Sequence, residues 1–189
     1  MLIMTRRRTF CGALVALVML ALPTDLAIAA RVSTPELKAA FLLNFVRFAE
    51  WPGDVVPAPA RVLCVLGDDQ VEESLEVTVK RRTESGRDDI VKRVSPDGRT
   101  PTCHLLYISG VAAKQSTALL KTLSTMPTLT VSDLPDFAQS GGIVNFIVED
   151  DRMRFVINTD AADRARLRLS SKLLSLATIV KDQPVGIRR

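Results

Sequence analysis

One histidine, one tryptophan and one tyrosine are all that this 189-residue chain holds of those types. A lone His104 cannot anchor a zinc site built on several imidazoles, and the few cysteines leave too few ligands for a tetrahedral one. There is no G-x-S-x-G, so no nucleophile elbow presents a serine to that histidine. No G-x-G-x-x-G follows an apolar run either. After "RVLCVLG" come Asp68 and Asp69, acids where a phosphate needs bare amides. "EDDR" (Glu149–Arg152) is too short for a calcium loop and reads as a hairpin turn. Beyond residue 31 no long apolar run appears, so nothing there approaches the ~20 residues that cross a bilayer. These absences point away from a catalytic residue, a metal or a cofactor.

The chain opens with an export signal. Arg6, Arg7 and Arg8 precede an uncharged, mostly apolar run from Cys11 to Leu22, and Ala27-x-Ala29 fits the small-x-small cleavage rule. Residues 1–30 are therefore expected to be removed, near Ala29 or Ala30. The general secretory route is the favoured reading, although Arg7-Arg8-x-Phe10 also fits a twin-arginine signal. The signal holds three arginines and one aspartate, so its loss takes the net charge from +4 to +2. That gives no support for a nucleic-acid partner. Cys64 and Cys103 remain, and in an oxidising compartment an even pair suggests a disulfide; two buried thiols are the alternative.

Hydrophobic period supplies the architecture. Thr34 and Pro35 open a helix in which Leu37, Phe41, Phe45 and Phe48 share a face; Lys38, Asn44, Arg47 and Glu50 interrupt it, and Pro52 should end it at Trp51. Buried strands are expected at Arg61–Gly67 and Cys103–Ser109, a strand nearer an edge at Asp89–Ser95, and a further strand in "PTLTVSD". Helices are expected over 68–80 and 111–124, with a short one from Ser132 or Asp133 through Phe137. "IVNFIVED" and "RMRFVINTD" form a hairpin. A last helix, capped by Asp160 and Asp163, should run to about Val180 on a seam of Leu169, Leu173, Leu176 and Val180. The order predicts a three-layer α/β sandwich: a mostly parallel central sheet ending in an antiparallel hairpin, with helices on both faces. Residues 31–180 are expected to be a single domain, and 181–189 a polar tail.

Candidate binding residues follow from this map, each with a plainer alternative. Ser132, Gly141 and Gly142 lie after a strand, where open α/β sheets place ligand crevices; a helix-stop with glycines at positive φ is the favoured, plainer reading. Arg164, Arg168 and Lys172 would share one face of the last helix and meet an anionic partner, or be a solvated basic face. Trp51 is an exposed stacking residue or a buried capping aromatic. His104 is a hydrogen-bonded core or edge histidine, or the general base of a hydrolase using Ser109 or Ser132.

The ordered set of segments resembles one family. Asn44–Pro52 ends the helix in the pattern NFxxFxEWP, followed by "VLCVLG", "CHLLYIS", "LTVSDLPDF", "GGIVNFIVEDDRMRFVIN" and "ADRARLRLSSKLLSLATIV". From about Pro35 to Val180 the chain is similar to the YfiR (HmsC-like) family of periplasmic regulators. The resemblance implies a binding protein rather than an enzyme, one that restrains a membrane-bound diguanylate cyclase through its periplasmic sensor domain and so limits cyclic-di-GMP and biofilm formation. It implies an OmpA-like outer-membrane lipoprotein as a sequestering partner, a homodimer, and a disulfide between Cys64 and Cys103. A second cysteine pair of the family, around the "GGIVNFIVED" hairpin, is missing here. The matched motifs add Asn44, Arg47 and Asn158 to the partner- or ligand-binding candidates. A periplasmic sensor of a small ligand or cell-wall fragment is the alternative function, ahead of a hydrolase.

Overall fold

A computed structural model describes residues 34–53, 60–83, 88–95 and 102–182. The expected export signal, most of the "PGDVVPAPA" linker, the "PDGRTP" turn and the tail past Asp182 lie outside the described residues.

Helix α1 (Thr34–Phe48) opens with Pro35 in its first turn, where a missing N–H costs nothing, and its Glu36 and Arg47 complement the helix dipole. Leu42, Leu43, Phe45 and Val46 are buried. Phe41 and Phe45 pack against Phe146 and Phe155 with ring centroids 5.0–5.9 Å apart. The phenylalanines at helical spacing are therefore core. The helix stops at Phe48, short of the expected Trp51. Arg61 donates to the Val46 carbonyl at 3.2 Å, and the chain extends into a short strand, β1 (Ala49–Glu50).

The central sheet has the order β3-β2-β4-β5-β6-β7-β9. It comprises β2 (Ala60–Leu66), β3 (Asp88–Arg93), β4 (Leu105–Ile108), β5 (Leu129–Ser132), β6 (Val144–Glu149), β7 (Arg152–Asn158) and β9 (Thr178–Val180). All neighbours are parallel except the β6–β7 hairpin, whose two-residue turn places Asp150 and Asp151 at φ 50° and 56°, as its tight twist requires. Alternation along the strands builds two cores. Leu63, Val65, Leu105 and Tyr107 face a layer with α1 and α2 (Asp69–Thr83). Cys64, Leu66, Leu106 and Ile108 face α3 (Ala113–Leu123), through Leu120 and Leu123. The mostly parallel sheet with helices on both faces agrees with the expectation.

Three details correct it. Residues 135–141 form hydrogen-bonded turns, not a helix: the Asn145 side chain accepts from Phe137 N and donates to the Leu134 carbonyl, fixing the loop from outside. The sheet does not end at the hairpin, because β9 adds a parallel strand beyond β7. And the last helix is broken into α4 (Thr159–Arg164), β8 (Arg168–Leu169), α5 (Ser171–Leu174) and β9. Arg166 sits at φ 57°, a left-handed residue that no continuing helix contains. Strand β8 then pairs antiparallel with β1. The N-cap of α4 is Asn158, not Asp160 or Asp163.

Candidate functional site

The chain leaves β2 through α2 to β3, then returns to the other side of β2 as β4. This reversal is a topological switch point, and the carboxyl ends of the strands beside it are where open α/β sheets take ligands. Here those ends are Gly67–Asp68 after β2, Ser109–Gly110 after β4 and Ser132–Asp133 at the end of β5. Gly67 (φ 83°) and Gly110 (φ 64°) let the first two loops meet backbone to backbone: a Cβ on Gly67 would lie 2.0 Å from the Ser109 carbonyl oxygen.

Over these ends α1 lowers Lys38. Its Nζ is 2.6 Å from Asp133 Oδ2, 3.8 Å from Asp68 Oδ2, and 5.6 Å from the centroid of the Tyr107 ring. The three charged side chains are 12–28% exposed. The other Asp68 oxygen caps α2 by accepting from Val71 N. Tyr107 is wholly buried, and its hydroxyl makes no hydrogen bond, although Asp133 and Ser109 lie near enough to act on it. Burial, then the Asp133 charge, pushes the phenol above its usual range. Burial alone would raise Asp133, but the Lys38 ammonium and the Ser109 hydroxyl hold it below the usual carboxylate range. Sequence reasoning missed this cluster. Its acidic and hydroxyl members do stand just past three apolar runs, a signal that was there to use; nothing local marks Lys38 as their partner.

Of the expected site residues, Ser132 is the one at this edge. Its hydroxyl donates to the Ile108 carbonyl at 2.6 Å and accepts from Leu134 N, a bracing role. Gly142 is a packing glycine: a Cβ there would lie 2.1 Å from the Phe137 ring. Gly141, at φ 99°, ends the turn segment. Asn158 is buried; it caps α4 through Ala161 N and donates to the Ala138 carbonyl and to Asp182. Asn44 is half-buried and Arg47 exposed on α1. Trp51 is half-buried, donates from Nε1 to the Pro127 carbonyl at 2.9 Å and meets His104 edge-on. His104 accepts from Val62 N at Nδ1, and so is a hydrogen-bonded edge histidine. It precedes β4 whereas Ser109 follows it, which separates the two by roughly 16 Å of extended strand. A serine–histidine pair is not assembled there.

The expected basic row does not exist as a row, because its helix does not. Arg164 pairs with Asp182, Arg168 lies at the edge of the small β1–β8 sheet about a weak ion-pair distance (4.0 Å) from Glu50, and Lys172 is exposed on α5. A recess of about 230 Å³ lies between α4 and the β8–α5 segment, with Ala162, Asp163, Leu167, Arg168 and Leu174 on its walls. Beside it in the chain, Leu176 (72% exposed) and Ile179 (43%) face solvent. Cys64 and Cys103 are joined in a disulfide and both are buried. Among the described residues no helix is long and apolar enough to cross a membrane, and no group of three or more acidic, histidine or cysteine side chains is placed to hold a metal.

No curated protein matches the chain closely enough to count as a relative. A family model described as YfiR/HmsC-like matches residues 35–178, from the first turn of α1 into β9.

Proposed function

The chain belongs to the YfiR/HmsC-like family, and from that membership we propose that it is a periplasmic regulator of diguanylate cyclase signalling. It binds the periplasmic sensor domain of an inner-membrane diguanylate cyclase, holds cyclic-di-GMP synthesis down and thereby restrains biofilm formation. An OmpA-like outer-membrane lipoprotein that sequesters the regulator would release the cyclase, and the regulator itself would act as a homodimer. The observation that carries this reading is the extent of the family match, about three quarters of the chain and nearly all of the described elements. A regulator of this kind needs a stable scaffold and a surface, not a nucleophile. The buried disulfide suits an exported scaffold. The stretch from Arg168 to Ile179 supplies surface: two exposed cations, Arg168 and Lys172, beside exposed Leu176 and Ile179. Mixed apolar and cationic surface of this kind is where partner contacts concentrate.

The test is capture of solubilised inner membrane on the purified protein, with cyclic-di-GMP measured in a deletion strain. A co-purified diguanylate cyclase together with raised cyclic-di-GMP on deletion is the expected result. Failure to retain any cyclase, with an unchanged nucleotide level, overturns it.

A further inference from the structure

The cluster at the switch point is unbalanced in two ways. Its formal charge is −1, with the Lys38 ammonium set against the Asp68 and Asp133 carboxylates. The hydrogen bonding is also uneven: the ammonium is 2.6 Å from Asp133 Oδ2 but 3.8 Å from Asp68 Oδ2, while Asp68 Oδ1 is taken by Val71 N. Beside them stands an independent anomaly. The Tyr107 hydroxyl is fully buried and makes no hydrogen bond of good geometry, although Asp133 and Ser109 lie close enough to act on it. Leaving such a group unsatisfied forfeits the hydrogen bonds it had in water, so a partner that enters between these groups is favoured. The Lys38 ammonium, lodged over the tyrosine face and between two carboxylates, shows which chemistry the place accepts.

We propose that this edge of the sheet is a binding site for the protonated primary amine of a small ligand. The ammonium donates to Asp68 and to the Tyr107 and Ser109 hydroxyls, beside Lys38 and Asp133. The inference does not depend on the cyclase partner, and its test involves none. Tyr107 is the only tyrosine in the chain, so incorporated fluorotyrosine reports on this place alone by fluorine NMR.

Ethylammonium chloride is titrated into the full-length mature protein at constant ionic strength, with tetramethylammonium, which has no N–H donor, as the comparison. A saturable shift of the single resonance with ethylammonium but not with tetramethylammonium is expected. Asp133→Asn removes a negative charge beside the bound ammonium and should weaken the apparent affinity about tenfold. Tyr107→Phe removes the orphaned hydroxyl while keeping the ring, so it should fold with an unchanged or higher melting midpoint. It should lose most of the stabilisation that ethylammonium gives the wild type, and this second variant decides the matter if Asp133→Asn fails to fold. No saturable shift at millimolar amine overturns the site and leaves a buried water as the partner of Tyr107. An equal shift with tetramethylammonium, or full amine stabilisation of Tyr107→Phe, overturns it as well.

Discussion

Cys64 lies inside β2 and Cys103 just before β4, so their bridge ties the approach of one central strand to its neighbour across a sequence separation of 39. On the chain-entropy account a loop of that size is worth about 4 kcal/mol, and measured losses on removing a native bridge run from about 2 to 5. Cys64→Ser with Cys103→Ser should therefore lower stability by about 3 kcal/mol, read as a fall in the urea midpoint under non-reducing conditions; a midpoint within error of wild type would deny the bridge its structural role. His104 sets a pH dependence. Its folded-state pKa lies below the ordinary 6.5, first because burial disfavours the charged ring and then because of Arg61, with Asp89 opposing. The unfolded chain thus binds more protons just below pH 6.5, and stability falls as pH drops from there through the depressed folded value. The geometry agrees, since Nδ1 accepts from Val62 N and a protonated ring cannot. The melting midpoint should decline between pH 7 and pH 5.5, and His104→Asn, which keeps an acceptor but does not titrate, should flatten that decline. An identical slope in both proteins would assign the effect elsewhere.

At the scale of elements, the region after Asn158 shows where periodicity misleads. Arg164, Arg168 and Lys172 are four apart and suggest a helix face, but Arg166-Leu167-Arg168-Leu169 also alternates, which is the signature of a strand. The alternation wins because β1 offers Ala49 and Glu50 as an antiparallel edge, and because Leu167 buries itself in the main core. Ser170 then caps α5, accepting from Leu173 N at 3.2 Å. The two arrangements predict opposite signs. Ser→Ala in a helix interior is mildly stabilising, whereas loss of an N-cap costs about 1 kcal/mol. Ser170→Ala should accordingly lower the chemical-denaturation midpoint, and a raised midpoint would favour the unbroken helix. The same preference for tertiary partners explains residues 135–141. Their apolar Phe137 and polar neighbours allow a helical turn, but the buried Asn145 amide holds the segment in turns and Phe137 fills the space left by Gly142.

Across the whole molecule, the regulator reading places contact on the C-terminal stretch. Arg168→Glu combined with Lys172→Glu alters exposed side chains, so the melting midpoint should stay within a degree or so, since surface changes rarely exceed about 0.5 kcal/mol. Repression of the cyclase should weaken, and a double variant that represses as well as wild type would move the interface elsewhere. The sequence by itself determined the layers: near-continuous apolar runs at Val62–Leu66 and Leu105–Ile108 can only be strands covered on both faces, and the phenylalanine stripe of α1 only a helix turned inward. It also carried the cysteine pair and the order of segments that marks the family. Tertiary structure alone decided what those elements bring together. Lys38 and Asp133 are 95 residues apart, and Tyr107 lies on a third element. No local pattern encodes their meeting, because it depends on which side of β2 the chain returns to and on how α1 crosses the sheet. For the same reason the basic row dissolved. Local period reports which face a residue can take, and the pairing of β1 with β8, nearly 120 residues away, determines which one it does take.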